Sequence, residues 1–446
     1  MTRIGLRIAA WCVVLGSCGI AFGQGAPERP DEPQAPAAQA QRGFEGRYRR
    51  GPEVAPVRIV LFTDYQCPDC DQLDQLLEGL IEGRPDVAVS VKHFPFSSMC
   101  NPNVARDMHP NACWAARAAE AAGMLRGSDG FWAMHRWLFS RRGSFTDAEL
   151  RAALTGMGYD AAAFERVMTS PATLQAVQAD IAEGMSVGLT GTPMLFINGR
   201  EVQNWRVEGA VERAIAAAVE TEPRTSAGDR PPTAVEKHIA DWRSQPRAAV
   251  VDESARWLGR GGEGVVTVVV WGDMQEPNTA AADVEVRRLI EAGRPIRYAF
   301  RHFPVDQSCN AASPRTLHPA ACAAARVREA AFLVGGEGAG WRAHVWLMRN
   351  AAAVKAAADG GKGAEGVARA VAAALGMDEG ALVAALPRPE VGARIGADSA
   401  LAGRMGVASI PMIFIDQRRV QRWTVGARPI IDEMVEAAVA ERAGRP

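Results

Sequence analysis

The sequence predicts an α/β chain that carries the same strand-and-helix domain twice. Its 446 residues exceed what one hydrophobic core usually serves. The apolar run at 57–61 is typical of a buried strand, and the apolar residues that follow it lie on one face of a helix, at Leu73, Leu76, Leu77, Leu80 and Ile81. A set of motifs then recurs 209 residues later.

Two cysteines mark the junction between that strand and that helix, in the segment Cys67-Pro68-Asp69-Cys70. Proline suits the first helical position because its missing N–H would have had no intrahelical partner. The positive end of the helix dipole favours the thiolate of Cys67, the form that attacks disulfides. The segment therefore indicates a redox dithiol on a thioredoxin-like βαβ unit. Half of a zinc site is the alternative, but closed zinc sites need four ligands and the chain has no second Cys-x-x-Cys.

Composition excludes one large class of function. The chain has 50 basic and 51 acidic residues, so it lacks the basic excess of a nucleic-acid-binding protein. Hydrophobic residues at 48% and charged residues at 23% are typical of a globular protein. We expect no nucleic-acid partner and no cofactor.

The first residues are predicted to be an export signal. Arg3 and Arg7 precede an uncharged stretch, which indicates a signal peptide over residues 1–23. The stretch up to Cys18 also resembles a lipoprotein signal over residues 1–17, which would leave the chain lipid-anchored through that cysteine. Either interpretation predicts a periplasmic or otherwise extracytoplasmic protein, where disulfides persist.

Composition and the repeat divide the rest of the chain. Residues 24–43 are rich in Ala, Pro, Gln and Glu without apolar periodicity, and we expect a flexible tether. The first copy is predicted over 44–222 and the second over 236–446, with a Pro- and Gly-containing linker at 223–235.

The repeat extends over most of each copy. At a shift of 209 the recurring motifs are His93-Phe94-Pro95, Cys100-Asn101, His109-Pro110, Cys113, Trp132, His135 and Trp137. Near the C-terminal end of each copy the shift becomes 218, as between Pro193-Met194 and Pro411-Met412. The extra residues fall within 351–366 and predict a lengthened helical loop. The predicted strands include 87–93 and 194–197 in the first copy and 296–302 in the second, and the alanine-rich helical insertion of the first copy runs through 115–122 and 132–139. Each copy then reads as strand, helix, strand, alanine-rich helices, hairpin and helix, which is a thioredoxin fold with a helical insertion.

The chain resembles two DsbA-like thioredoxin-fold domains in tandem. The matching motifs are Tyr65-Gln66-Cys67-Pro68-Asp69-Cys70, Lys92-His93-Phe94-Pro95, His109-Pro110-x-x-Cys113 and Gly191-Thr192-Pro193-Met194. This resemblance implies a thiol:disulfide oxidoreductase. It also implies that Pro193 follows a cis peptide bond, faces the dithiol, and leaves the backbone of Thr192 to pair with a substrate polypeptide. The chemistry itself predicts Cys67 as the nucleophile and Cys70 as the resolving thiol.

The second copy has lost the redox sulfurs. The repeat aligns Glu276 with Cys67, Pro277 with Pro68, and Thr279 with Cys70. Neither a carboxylate nor a hydroxyl can perform thiol exchange, so we expect a non-redox domain. Peptide binding, pairing with the first copy, spacing, or simple coverage of an exposed face all remain open roles.

The second copy also indicates the cysteine pairing. It retains only Cys309 and Cys322, which can pair only with each other within their domain. By the repeat, Cys100 then pairs with Cys113, and Cys67 with Cys70. The outer pairs are predicted to be structural disulfides. A relay role for the Cys100–Cys113 pair is less favoured, because the equivalent pair persists where the redox motif is absent.

The residues around Cys67 are expected to tune its reduction potential, Pro68 and Asp69 above all. Asp64 and Asp71 lie close to Asp69 in the sequence. Carboxylates near a thiolate disfavour its charge, so we expect a higher Cys67 pKa and a less oxidising couple than in family members with histidine between the cysteines. Leu61 stands where the family often has a buried acid that aids proton transfer. The histidines recur in the second copy, so capping or packing explains them better than catalysis.

These observations predict an extracytoplasmic enzyme that exchanges disulfides with secreted or periplasmic protein thiols, as an oxidase or isomerase rather than a reductase. The resemblance implies reoxidation by a membrane quinone-linked partner of the DsbB or vitamin K epoxide reductase type. A peptide-binding chaperone with a structural disulfide is an alternative. A metal chaperone is another, because two cysteines and a histidine suit copper or zinc; no resident metal is expected.

Overall fold

The computed structural model describes residues 43–104, 106–221, 226–252, 255–360 and 362–444. The predicted signal peptide (1–23), its Cys18, and the predicted tether up to residue 42 lie outside the described residues. No helix within the described ranges is long and apolar enough to cross a membrane.

The first half of the described chain contains a five-stranded sheet with helices around it. Its elements are β1 (Arg49–Arg50), β2 (Val57–Thr63), α1 (Pro68–Ile81), β3 (Val87–His93), α2 (Ala112–Ser140), α3 (Asp147–Gly156), α4 (Ala161–Met168), α5 (Pro171–Val187), β4 (Met194–Ile197), β5 (Arg200–Glu201) and α6 (Ala210–Glu220). The strand order is β1-β3-β2-β4-β5. β2 pairs in parallel with β3 and antiparallel with β4. All seven residues of β2 are buried, which fits its central position and its apolar sequence.

The second half contains a second sheet with the corresponding order, β6-β8-β7-β9-β10. Its elements are α7 (Ala234–Ser244), β6 (Trp257–Leu258), β7 (Val266–Gly272), α8 (Pro277–Glu291), β8 (Ile296–His302), α9 (Ala321–Arg349), α10 (Ala351–Ala358), α11 (Gly363–Leu375), α12 (Glu379–Ala385), α13 (Pro389–Arg404), β9 (Met412–Ile415), β10 (Arg418–Val420), β11 (Thr424–Val425), β12 (Arg428–Pro429) and α14 (Ile431–Arg442). The predicted α/β class is therefore confirmed.

The alanine-rich insertions differ from the prediction in detail. The sequence suggested separate helices at 115–122 and 132–139, but α2 runs through both with a break at Arg126 and Gly127. Gly127 has φ +63°, a conformation that costs glycine little and other residues more. α9 breaks in the same way at Gly336, 209 residues further on. The lengthened loop predicted at 351–366 contains a helix of its own, α10.

The predicted linker at 223–235 contains ordered structure where it is described. A 3₁₀ helix spans Ser226–Asp229, and the buried Asp229 carboxylate accepts a hydrogen bond from Arg58 Nη2 of β2 at 3.0 Å. Lys237 of α7 contacts the carbonyl oxygen of Val187 at 3.1 Å. On the same helix, the indole N–H of Trp242 donates to the carbonyl oxygen of Ile415 at 3.1 Å. α7 therefore contacts elements of both halves.

Candidate active site

Cys67 stands immediately before α1 and Pro68 is the first residue of that helix. Cys67 is 7% exposed, and its Sγ lies 3.5 Å from the carbonyl oxygen of Thr192. The Thr192–Pro193 peptide bond is cis. The start of α1 and the loop before β4 therefore meet at this sulfur, and the structure brings together the four residues that the sequence assigned to catalysis and substrate binding.

Cys70 lies one turn further along α1 and is fully buried. Its Sγ accepts a hydrogen bond from the backbone N–H of Asp64 at 3.5 Å. Burial raises the pKa of the Cys70 thiol well above its ordinary value, and a hydrogen bond with Cys67 adds to the shift, while one from Thr63 opposes it. Cys67 and Cys70 are separate thiols, so the structure describes the reduced form rather than the Cys67–Cys70 disulfide of the sequence analysis.

The two thiols differ sharply in acidity. A hydrogen bond from Cys70 lowers the pKa of Cys67 to about 6, from an ordinary value of 9.0. Burial opposes this shift, whereas hydrogen bonds from Thr192 and from the backbone N–H groups of Cys70 and Asp69 support it. Cys67 is therefore mainly a thiolate at neutral pH, and Cys70 is a protonated thiol that stabilises it.

The carboxylate of Asp64 is held within the loop by three contacts. One oxygen accepts from the backbone N–H of Gln66 at 2.8 Å, and the other accepts from that of Phe96 and pairs with Nδ1 of His109, both at 2.8 Å. The hydrogen bond to Asp64 raises the pKa of His109, and the Cys67 thiolate adds to this shift. The acid thus brings the imidazole of His109 to the site, together with its own negative charge.

The other two acids of the motif are also engaged elsewhere. Asp69 forms an ion pair with Arg206, and Asp71 accepts a hydrogen bond from Nε2 of Gln75 at 2.9 Å. The largest causes of the shift of Cys67, whose pKa is lowered, are its hydrogen bonds and its burial rather than these carboxylates. The expected effect of the acids on the thiolate, and the comparison with family members that have histidine between the cysteines, stay predictions.

The corresponding position in the second half is a helix cap. Glu276 precedes α8, and its carboxylate accepts from the backbone N–H groups of Asn278 and Thr279 at 2.9 and 2.5 Å and from the hydroxyl of Thr279 at 2.8 Å. A Cβ on Gly272 would lie 2.2 Å from Cγ2 of Thr279, so this side chain fills the space beside β7. The loop before β9 has a cis peptide bond, Ile410–Pro411, as the loop before β4 has in the first half. The carboxylate is used in capping, and no sulfur is present.

The other four cysteines among the described residues form two bonds in equivalent places. Cys100 is bonded to Cys113 and Cys309 to Cys322, with Cα atoms 5.8 and 5.9 Å apart. Each bond joins the loop after the second parallel strand, β3 or β8, to the first turn of the long helix that follows, α2 or α9. Both sulfurs of the first pair belong to residues that are at least 98% buried.

A buried ion network lies beside the sheet of the first half. Arg47 binds both Glu120 and Asp180 with all three guanidinium nitrogens, at 2.5 to 3.0 Å, and His93 Nε2 lies 3.0 Å from Glu120. His93, Glu120 and Asp180 are close enough to hold a metal ion. In this structure, however, Arg47 already occupies both carboxylates, so the group fits a cation of the protein itself rather than a metal.

A dithiol at the start of a helix, with one sulfur activated beside a cis-proline loop, defines a thioredoxin-fold redox protein. Residues 58–214 match the family described as DSBA-like thioredoxin domain. The chain thus carries a domain of that family, and the match contains Cys67, Cys70, Thr192 and Pro193.

Curated proteins that match the chain are named as sodium/proton antiporters. The chain is 30% identical over 151 residues to Na(+)/H(+) antiporter NhaA 1 of Salinispora arenicola, a match that covers 34% of this chain and 21% of that protein. It is 28% identical over 180 residues to Na(+)/H(+) antiporter NhaA of Herminiimonas arsenicoxydans, a match that covers 39% of this chain and 25% of that protein. The chain thus spans about a quarter or less of the length of these relatives.

The chain is also similar to proteins of known structure. BdbD of Bacillus subtilis in its oxidised form is 18% identical, with 40% of this chain and 100% of that chain covered and a TM-score of 0.34. DsbA2 of Pseudomonas aeruginosa is 24% identical, with coverages of 38% and 93% and a TM-score of 0.31. The catalytic domain of Proteus mirabilis ScsC is 25% identical, with 38% of this chain and 89% of that chain covered and a TM-score of 0.31.

The low pKa of Cys67 predicts its alkylation profile. In the reduced protein we expect the iodoacetamide reaction of Cys67 to be half-maximal near pH 6, and near pH 8.5 after denaturation, because only the thiolate reacts. In Cys70→Ala the midpoint should move upward, because the main stabilising hydrogen bond is lost. Mass spectrometry of peptides containing Cys67 gives the rates, and a native midpoint at or above pH 8 would contradict the proposed activation.

Proposed function

We propose that this chain is an extracytoplasmic thiol-disulfide oxidoreductase that donates a Cys67–Cys70 disulfide to secreted proteins. The observation that carries the proposal is the pair of unequal thiols, one with a pKa of about 6 and the other buried and protonated. The matched DSBA-like domain supports the reaction class. Export rests on the sequence signal at residues 1–23 and on the two disulfides, which are typical of oxidising compartments.

The reaction proceeds in two exchanges. A substrate thiolate attacks Sγ of Cys67, the bond to Cys70 breaks, and Cys70 leaves with the electron pair and takes up a proton. A second substrate thiolate then attacks the substrate sulfur of the mixed disulfide, and Cys67 leaves as a thiolate. Two electrons pass from the substrate to the Cys67–Cys70 disulfide, which becomes the dithiol, and the substrate acquires the disulfide. The second step is favoured because a thiol of low pKa is the better leaving group.

The same acidity supports the direction. A stabilised Cys67 thiolate stabilises the reduced form, which makes the disulfide a stronger oxidant. We therefore favour an oxidase or isomerase over a reductase. Continued turnover as an oxidase needs an electron acceptor, for which a membrane quinone-linked partner of the DsbB or vitamin K epoxide reductase type is proposed.

The second half is proposed to be a duplicated domain that has lost exchange chemistry. Its support is the repeated sequence, the corresponding strand order, the equivalent disulfide and the second cis-proline loop. The proposed divisions are a domain at 44–222, a connecting segment at 223–235 and a domain at 236–446. The carboxylate of Glu276 is saturated by capping contacts, which argues against a replacement catalytic role.

A glutathione titration of the full chain, with thiol trapping, tests the function. We expect Cys67 and Cys70 to interchange between dithiol and disulfide with a potential between about −180 and −120 mV, the range of protein disulfide isomerase and DsbA. A value near −270 mV, as in thioredoxin, would instead support a reductase. If the pair could not be reduced, the bridge would be structural and the proposal would fail, which would leave the peptide-binding chaperone. Stoichiometric copper or zinc on the reduced protein without exchange activity would favour a metal chaperone.

A further inference from the structure

The second half contacts the first half at the end of α5, the helix that leads into the cis-proline loop. This loop, residues 188–193, ends with Thr192 and Pro193 beside Cys67. The contacts come from α7 and from the turn between β11 and β12. Both elements lie outside the matched DSBA-like domain, which ends at residue 214. The loop is therefore held in part by residues that the matched domain does not contain.

Lys237 of α7 connects the two ends of the segment that carries this loop. Its Nζ donates to the carbonyl oxygen of Val187, the last residue of α5, at 3.1 Å, and to Oε2 of Glu201 at 3.1 Å. Glu201 belongs to β5 and pairs with Phe196 of β4, the strand that follows the loop. One ammonium group thus joins the residue before the loop to the strand pair after it.

Two apolar contacts add to this connection. Gly188 caps the C-terminus of α5 with φ +89°, and a Cβ placed on it would lie 3.2 Å from Cβ of Ala234 in α7. Ala234 is buried. About one turn earlier on α5, Cε of Met185 would lie 3.3 Å from a Cβ on Gly426, in the turn between β11 and β12. The backbone at the start of the loop is therefore packed against the second half at two places.

The helix α7 is itself fixed to the second half. Trp242 is fully buried, and its indole N–H donates to the carbonyl oxygen of Ile415 in β9 at 3.1 Å. Val235 and Ile239 pack against the same hydrophobic core. Because α7 is anchored in that core, it offers the loop a surface whose position the second half determines.

The equivalent loop of the second half lacks this support. At the shift of 218, Gly188 corresponds to Gly406, and Glu201 corresponds to Arg419. A Cβ on Gly406 would have no atom of another part of the described chain within 4 Å. An arginine in place of Glu201 could not accept a hydrogen bond from a lysine. The support is therefore present at the loop beside the dithiol and absent, among the described residues, at its counterpart in the half without redox sulfurs.

We propose that Lys237 is a positioning residue for thiol exchange, and that the second half serves the reaction by holding the cis-proline loop beside Cys67. This inference rests on the proposed function of the first half. Lys237 does not contact the reacting sulfurs; it restricts residues 188–193, so that the backbone of Thr192 stays next to Cys67 and available to a substrate polypeptide. A loop that is already ordered costs less free energy to order when the substrate binds, so loss of the support should raise KM more than it lowers kcat.

Oxidation of a synthetic dithiol peptide by the full chain measures the effect on exchange, with excess oxidised glutathione to regenerate the Cys67–Cys70 disulfide. We expect Lys237→Met to raise KM for the peptide about three- to tenfold and to change kcat by less than about twofold. Lys237→Arg should restore most of the loss, because a guanidinium also donates to a carbonyl and a carboxylate. Lys355→Met is the matched control, since Lys355 is a helical lysine that pairs with Asp359 on the surface at 2.9 Å.

Alkylation of Cys67 provides a second readout that needs no exchange activity. Thr192 contributes to the lowered pKa of Cys67, so Lys237→Met should move the iodoacetamide midpoint of Cys67 upward by about half a pH unit, and Lys355→Met should not move it. Where the unmodified chain oxidises the peptide, an unchanged KM in Lys237→Met overturns the inference, whether or not the thermal unfolding midpoint falls. If the unmodified chain oxidised no peptide, the proposed function would fail, and an unchanged alkylation midpoint in Lys237→Met would separately show that α7 does not hold the loop.

Discussion

Cys67→Ser is expected to lower the rate of insulin disulfide reduction by at least about 10³-fold, to the level of buffer alone. A serine hydroxyl does not ionise near neutral pH and cannot form a mixed disulfide. The loss should be complete because Cys70, the remaining sulfur, is fully buried and keeps its proton. The measurement is turbidity of the insulin B chain in the presence of dithiothreitol.

Cys70→Ser and Glu276→Ala make the experiment specific. Cys70→Ser retains the nucleophile but cannot resolve it, so a mixed disulfide between Cys67 and the substrate should accumulate and be visible on a non-reducing gel. Glu276→Ala changes the equivalent position of the second half and should leave the rate unchanged, although loss of the cap costs about 1 kcal/mol. Undiminished activity in Cys67→Ser would refute the enzyme proposal. Peptide binding that survives the loss of exchange would show that the two activities are separable.

Much of the fold could be predicted because its signals are local. The strands at 87–93, 194–197 and 296–302 have the predicted bounds, since each is a short apolar run ended by turn residues. The long insertions were harder, because alanine-rich sequence supports helix on both sides of Gly127 and the glycine alone does not say whether the axis breaks or the helix ends. The helical loop predicted within 351–366 does contain a helix, α10, but its bounds could not be read from the alanine-rich sequence.

The two cysteines and the proline loop of the candidate site could also be read from sequence, but their electrostatics could not. Asp64 lies three residues before Cys67, and sequence proximity suggested repulsion. Its orientation toward His109 and Phe96 depends on how the loop after β3 returns to the motif, which no local pattern encodes. The ion pair between Asp69 and Arg206 joins segments far apart in the chain and has the same origin.

Thr63 shows a further limit of sequence reasoning. Leu61 occupies the place of an acid that the family resemblance led us to seek, and it is simply buried in β2. The side chain of this strand that affects the pKa of Cys70 is instead Thr63, two residues later, which lowers it. Side chains two apart on a strand point to the same face, so the periodicity signal was present but did not identify which residue reaches the sulfur.

Arg47→Met is expected to destabilise the first half by about 3 to 5 kcal/mol, because it leaves two buried carboxylates without their main cation. Glu120 and Asp180 are each 1% exposed. Burial opposes the ionisation of Glu120, but Arg47 and His93 together outweigh it and lower the pKa of Glu120 to about 2. The lowered pKa means that this stabilisation is fully present above the unfolded carboxylate pKa, about 4.3, and is lost as the pH falls toward 2. The deficit of Arg47→Met should therefore be largest near pH 7 and smaller below pH 4.

Unfolding of the first half can be followed at Cys70, which is accessible only when that half opens. In a Cys67→Ser background, the urea dependence of Cys70 alkylation gives the midpoint for this half without assuming that both halves unfold together. Arg84→Met is the matched control, since Arg84 pairs with Asp86 on the surface at 2.6 Å and such pairs contribute no more than about 1 kcal/mol. Equal midpoints for Arg47→Met and Arg84→Met would mean that the carboxylates find other partners, and that the ion network does not stabilise the domain that holds the dithiol.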